Sequence, residues 1–425
     1  MRMVAISGSD WPIGGVSADE ATGMTIAIPG DTMKNLHRHC SSAAVVILGI
    51  FAFTGAVGQK AAETPQALEL SGDIAGTHDP SIGFDHGTYY VFATGAAYPS
   101  RPLGASALPG NAASSGQPGV SAPPGAATDS GVARPAPIGQ FPIRCSPDLH
   151  QWTRCGHVFD TVPTWIHDIS PQTKDLWAPD ISYFDRLYHL YYSFSVFGKN
   201  TSGIALATNE TLDSTSPRSK WVDRGLVLRS TEQEDFNAID PNLILDEKGE
   251  AWLAFGSFWT GIKMRHLDRK TGLLSAKDTR QYSLAARAKT ASVTPRNPDL
   301  PPGTEAIEAP FILRHGDFYY LFVSWDLCCR GLKSTYRTTV GRSKNVTGPY
   351  ADRDGKPMLE GGGSPLLSAN GKWLGPGGGS LLHTADKDIL VFHAYSAENG
   401  RPALHISTVG WEDGWPSARL DEDVK

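Results

Sequence analysis

The chain has 425 residues, room for more than one domain, although a single all-β domain also reaches this size. Its apolar content and 9% aromatics fit a globular protein with a sizeable core. A net charge of −6 gives no electrostatic footprint for nucleic acid.

Residues 1–32 carry no periodic pattern and read as a non-native or disordered extension. From Met33 the chain runs MKNLHRHCSSAAVVILGIFAFTGAVGQ: a basic stretch, an apolar run from Ala43 to Phe53, then small residues. That order predicts a signal peptide over 33–58, too short in its apolar part for a bilayer span, so that the mature protein is secreted and free of the membrane. A signal-anchor is the rival. The sequons at Asn200, Asn209 and Asn345 fit export and would make the protein a glycoprotein.

Downstream, one pattern recurs. GTYYVFATG (87–95), DRLYHLYYSFS (185–195), KGEAWLAFGSF (248–258), HGDFYYLFVSW (315–325) and DKDILVFHAYS (386–396) each place a turn before an alternating aromatic and aliphatic run that ends in small or hydroxyl residues. Turn residues followed by period-2 alternation mark hairpin strands. Ahead of each copy lies a polar or Gly-Pro head leading into another apolar strand: HDPSIGF (78–84), WAPDISYF (177–184), IDPNLIL (239–245), EAPFILR (308–314) and GPGGGSLLH (375–383). Copies recur at roughly 60 to 70 residues, the length of about four strands, so five copies predict an all-β, five-bladed β-propeller over residues 72–420. A β-sandwich is the alternative.

Only the first interval is longer. It contains a Pro/Ala/Gly/Ser-rich insert over about 98–137, which cannot bury enough apolar surface to fold and predicts a disordered loop within the first blade. Cys145 and Cys155 flank a plausible hairpin and could pair in an oxidising compartment. The adjacent Cys328 and Cys329 could form a vicinal disulfide or remain thiols.

Aligning the heads on their shared proline gives Asp79-Pro80, Ala178-Pro179, Asp240-Pro241 and Ala309-Pro310. Asp79 and Asp240 then occupy one position, and Glu308 lies one residue earlier, beside the slot held by Trp177. Inner strands of a propeller converge on its axis, so three carboxylates remote in sequence would gather at one channel mouth. A strand-head acid can merely cap a turn, but three at matching repeat positions favour a site. Crowded like charges raise at least one pKa and supply a proton donor. Two carboxyls facing across a sugar form the arrangement of glycoside hydrolysis. Glu305 is expected in the preceding loop rather than paired with Glu308.

Taken together, HDPSI, LWAPDIS, FNAIDPNL, EAIEAPFI, SWDLCCRG, VGRSKNVTGPY and WEDGWP resemble the arabinanases of glycoside hydrolase family 43, from about Gly72 to Pro416. The resemblance implies a five-bladed propeller that hydrolyses arabinan, a side chain of plant pectin, with inversion. It makes Asp79 the general base, Glu308 the general acid and Asp240 the modulator of the acid's pKa; inversion would place the Asp79 and Glu308 carboxyls roughly 6.5–9.5 Å apart. It also implies substrate contacts at Trp177, Gly198, Asn237, Ala238, Ile239, Ser257, Phe258 and Trp259, of which at most one of the last two is expected to face the sugar.

The same resemblance implies a calcium ion at His393, held mostly through water because calcium prefers oxygen, and no organic cofactor. Cys328, Cys329 and Arg330 would shape the subsite rim. The leading expectation is a secreted, monomeric endo-acting arabinanase. Exo-acting arabinofuranosidase or β-xylosidase activity, a non-catalytic sugar-binding propeller and a retaining fructan-cleaving enzyme are the alternatives.

Overall fold

The computed structural model describes residues 64–98, 136–287 and 306–421. The N-terminal extension, the signal peptide, most of the insert and Glu305 lie outside the described residues. Within them the strands form five antiparallel sheets, each of four principal strands in sequence order from inside to outside, and the architecture is a five-bladed β-propeller. Blade one comprises Ser81–Asp85, Thr88–Phe92, Gly139–Ser146 and Gln151–Phe159, and blade two Leu176–Phe184, Leu187–Phe194, Ser202–Asn209 and Val222–Ser230. Blade three is built from Asn242–Leu245, Ala251–Phe255, Ile262–Asp268 and Gln281–Ala285. Blade four has Ile307–His315, Phe318–Trp325, Arg337–Ser343 and Ser364–Leu367, and blade five Trp373–His383, Asp388–Ser396, Pro402–Glu412 and Trp415–Ser417.

The alternating second strands explain the stacking. Side chains of a strand point to opposite faces in turn, and each face meets a different neighbour. Tyr319, Leu321 and Val323 pack with Trp252 and Met264 of blade three, whereas Tyr320 and Phe322 pack with Leu390 and Phe392 of blade five. Ile389 and Val391, on the other face of blade five, meet Ile82 and Val91 of blade one. The core is therefore five apolar layers, one between each pair of adjacent blades. Both faces are covered, so these runs carry few polar residues.

The ring closes through the segment preceding blade one. Ala67 and Ala75 bridge to Ser407 and Ala403 of blade five, while Ser71–Gly72 pairs with Gln151 and Trp152 of blade one. Arg144, almost fully buried, donates to the carbonyls of Asp73 and Ala75, and Arg154 grips the Asp73 carboxylate through Nε at 2.8 Å and Nη2 at 3.1 Å.

Hydrogen bonds also run around the axis. Ser81 Oγ accepts from Ile181 N–H of the next blade, Asp180 Oδ2 from Leu243 N–H, Asn242 Oδ1 from Ile312 N–H, and Ser380 Oγ from Ile82 N–H. Phe311 occupies the equivalent place in blade four and has no acceptor there, so that link is missing.

Several local expectations change once the chain is folded. Cys145 and Cys155 are free thiols: the strand register sets Cys145 against Thr153, and a bulge at Ile143/Arg144 leaves Cys155 out of register. Cys328 and Cys329 form a vicinal disulfide. Two of the three sequons are buried. Asn200 spans a loop by donating to the carbonyls of Thr231, Glu234 and Phe236, and Asn209 accepts from Lys220 N–H. Only Asn345 is exposed to a glycan. No helix among the described residues is long and apolar enough to cross a membrane.

Candidate active site

Each blade contributes one residue with left-handed backbone to the axial channel: Asp79 (φ 44°), Ala178 (44°), Asp240 (57°), Ala309 (51°) and Gly378 (56°). In the first four a proline follows, a context that normally favours extended backbone. Such conformations cost a non-glycine residue about 1–2 kcal/mol and are held by partners. The Ala178 N–H donates to Thr94 Oγ1, Asp240 N–H to Ser193 Oγ, Gly378 N–H to Ser324 Oγ, and Asp79 N–H to His393 Nδ1. Every acceptor belongs to the preceding blade. Thr94, Ser193 and Ser324 are hydroxyl residues that close the alternating strands in the sequence, and in blade five His393 takes that place. In blade five Gly378, not the Gly-Pro pair at 375–376, holds the repeat position.

Asp79 is 24% exposed. Its Oδ2 accepts from Thr94 Oγ1 at 2.7 Å and lies 2.9 Å from His78 Nδ1, so Oδ1 is the atom left towards the channel. Burial would raise its pKa, but the charge and hydrogen bond of His78, with His393 and Thr94, hold the carboxyl well below the usual range.

Glu308, 8% exposed, stands opposite Ser324 one residue before Ala309. Its Oε2 accepts from Ser257 Oγ at 2.7 Å and its Oε1 from Tyr336 Oη at 2.8 Å. Burial raises its pKa against the two hydroxyl bonds. Asp240 is pushed well above the carboxylate range by burial, then by the charges of Glu308 and Asp79. The buried pair Asp240 and Glu308 thus retains a proton where ordinary carboxyls have lost theirs.

His393 is fully buried, stacked on His78 with ring centroids 3.8 Å apart, and kept neutral by burial and by His78. Ligand atoms of His78, Asp79 and His393 lie within 4.8 Å of one another. Gly378 keeps the space before them clear, since a Cβ there would sit 2.6 Å from Asp79 Oδ1 and 2.8 Å from His393 Cε1. One imidazole nitrogen and a carboxylate oxygen fit a hard cation whose remaining oxygens come from water.

The expected substrate contacts divide. Trp177 is half-buried at the head of blade two, opposite Ser193, and Gly198 (φ 78°) has open space where a side chain would be. Asn237 Oδ1 is buried without a hydrogen-bond partner, the condition of an atom awaiting a ligand. Ala238 is packed inside the layer between blades two and three, and Ile239 is buried, so neither presents much side chain to the channel. Ser257 bonds Glu308 rather than standing free. Phe258 (φ 57°) and Trp259 (φ 42°) form a tight turn, so strand alternation does not sort their faces and both are half-buried. Sequence reasoning missed His78, Thr94, Tyr336, Tyr395 and Gly378. The hydroxyl ends of the strands and the histidine of HDPSI were the available signals.

Comparison with known proteins places this geometry. The model of the glycosyl hydrolases family 43 matches residues 74–416. The chain is 46% identical over 275 residues to the extracellular endo-α-(1→5)-L-arabinanase 1 of Bacillus subtilis, covering 64% of this chain and 78% of that one. It is 45% identical over 284 residues to the extracellular exo-α-(1→5)-L-arabinofuranosidase ArbA of Cellvibrio japonicus, covering 66% and 80%. Among solved structures, the Cellvibrio cellulosa α-L-arabinanase complexed with arabinohexaose superposes with a TM-score of 0.65 at 36% identity, over 81% of this chain and 96% of that one.

Proposed function

The chain belongs to the glycosyl hydrolases family 43, and on that premise we propose that it is a secreted endo-hydrolase of α-1,5-linked L-arabinan that inverts the anomeric carbon and works as a monomer. That it is a glycoside hydrolase of the arabinan-cleaving kind follows from the family and its relatives. Endo action, inversion, export and the residue roles are the proposal.

The observation that carries the mechanism is the division of labour among three carboxyls in one channel. Asp79 stays ionised and keeps Oδ1 free, as a base for water must. Glu308 and Asp240 hold a proton between them, as a donor to the leaving oxygen must. Water loses its proton to Asp79 while its oxygen attacks the anomeric carbon; the glycosidic bond breaks as Glu308 protonates the departing oxygen. Asp79 ends protonated and Glu308 ionised, and solvent exchange resets both. Asp240 takes no part in the bond changes; it shares the buried pair's proton with Glu308, and when Glu308 holds that proton the Asp240 charge keeps it there. Asn237 and the rim aromatics Trp177, Phe258 and Trp259 would hold the sugar.

A calcium ion belongs to the same proposal, with His393 and the Asp79 edge of the channel holding it through a largely aqueous shell. When bound it would supply fixed positive charge beside the reacting sugar. The names of the two extracellular relatives support export. All three acids come from one chain, so the proposed site needs no second copy.

The exo reading is the second one, favoured by the 45% identical arabinofuranosidase. Incubation with debranched linear arabinan, followed by chromatography of the products, separates the two. Endo action predicts a ladder of oligosaccharides that is lost in Glu308→Ala, with the inverted anomer first in the NMR spectrum. Arabinose alone from the outset selects the exo enzyme, and binding without cleavage would leave a carbohydrate-binding propeller.

A further inference from the structure

His78 takes no part in the mechanism above, yet it is the best-connected side chain beside Asp79. Its Nδ1 lies 2.9 Å from Asp79 Oδ2 and its Nε2 2.6 Å from Tyr395 Oη, a residue 317 positions away in blade five. Tyr395 Oη in turn accepts the Cys329 N–H at 2.9 Å. That amide belongs to the peptide enclosed by the Cys328–Cys329 disulfide. The ring of His78 is clamped from one side by His393, and Cys329 Sγ lies 3.7 Å from its Nε2.

Proton counting gives these bonds a direction. A tyrosine hydroxyl has one proton to donate. Tyr395 Oη accepts from the Cys329 amide, and its shortest acceptor contact is His78 Nε2. Whether its Nε2 accepts from Tyr395 as a neutral ring or donates to it as a charged one, His78 carries a proton on Nδ1, and Nδ1 faces Asp79 Oδ2. The chain of contacts therefore runs from the Cys329 N–H to Tyr395 Oη, from Tyr395 Oη to His78 Nε2, and from His78 Nδ1–H to Asp79 Oδ2. With Thr94 Oγ1 on the same oxygen, Oδ2 is fully engaged and the carboxyl plane is fixed. The His78 and Tyr395 links stand whatever His393 holds.

We propose that His78 is a positioning residue for Asp79: held by Tyr395 and the Cys329 amide, it locks the carboxylate so that Oδ1 alone faces the attacking water. The inference rests on the reading of Asp79 as the general base. A reacting group displaced by a fraction of an ångström loses rate rather than binding, so the effect belongs in kcat.

The test uses His78→Asn, His78→Gln, His78→Ala and Asp79→Asn in the full chain, with steady-state kinetics on linear arabinan and a thermal melt of each variant. An asparagine amide nitrogen reaches the place of Nδ1, whereas a glutamine amide reaches that of Nε2. We expect His78→Ala and His78→Gln to lose about 10²-fold in kcat with KM changed less than about threefold, and His78→Asn to stay within about tenfold of the parent. Should the alanine variant fail to fold, the two carboxamides still decide. Equal losses in His78→Asn and His78→Gln, or losses carried by KM, overturn the positioning role while an inactive Asp79→Asn leaves the base assignment standing. A fully active Asp79→Asn overturns the base assignment itself, and the positioning role with it.

Discussion

The Ala309 N–H donates to Asp240 Oδ2 at 3.1 Å, tying the acid of blade three to the residue directly after Glu308 in blade four. Asp240 is thus fixed beside the proposed proton donor by backbone, and its charge acts on Glu308 from a set position. Replacing Asp240 by Asn removes that charge, so the Glu308 pKa falls. An acid that loses its proton at lower pH loses rate at lower pH. The alkaline limb of kcat/KM against pH is expected to move downwards in Asp240→Asn, with kcat reduced about 10- to 100-fold. An unmoved limb would separate Asp240 from the acid.

Tyr336→Phe should shift the same limb the other way. Tyr336 Oη donates to Glu308 Oε1 and so favours the ionised carboxyl. Its loss raises the Glu308 pKa, extending activity to higher pH, while kcat falls up to about tenfold because a hydrogen bond worth about 0.5–1.5 kcal/mol no longer orients the protonated acid. Opposite movements in the two variants, measured in one buffer series, would be hard to obtain from general destabilisation.

Gly378→Ala places a methyl 2.6 Å from Asp79 Oδ1 at a residue with φ of 56°. The backbone alone costs about 1–2 kcal/mol, and the methyl displaces the base or His393. Activity is expected to drop by about 10²-fold or more while the melting temperature falls only a few degrees. Circular dichroism melts alongside kinetics on arabinan check both.

Asp180, buried in the axial ring, accepts from Asn242 Nδ2 at 3.0 Å and Leu243 N–H at 2.8 Å, yet burial pushes its pKa up to about 6. A carboxyl with a raised folded pKa favours the fold fully below its unfolded pKa and loses that contribution as pH rises through about 6. The two-unit shift corresponds to roughly 3 kcal/mol. The parent should therefore lose stability relative to Asp180→Asn between about pH 4 and pH 6, as read by denaturant midpoints. Parallel curves would count against this origin.

Reduction of Cys328–Cys329 with dithiothreitol frees the peptide whose amide anchors Tyr395. Activity on arabinan should fall several-fold, and the fall should be much smaller in Tyr395→Phe, where the link to His78 is already cut. An equal response in both proteins would place the effect of the disulfide elsewhere.

The five repeats, the blade count and the convergence of Asp79, Asp240 and Glu308 were legible in the sequence because each is written locally: alternation sets the faces of a strand, and a proline after the left-handed head marks the same place in four blades. The disulfide between adjacent cysteines was one of two readings that the residues allowed. What the sequence could not supply depends on ring closure. Only the closed ring brings His78 to Tyr395 and Cys329, sets Thr94 and Ser193 under the amides of the next blade, and substitutes Gly378 for the expected Gly-Pro head. It likewise buries Asn200 and Asn209, and a bulge leaves Cys155 out of register with Cys145, both as free thiols. A strand's own pattern says which side chains turn inward; which partners they meet is decided by the neighbouring blade, and for blade one that neighbour lies at the far end of the chain.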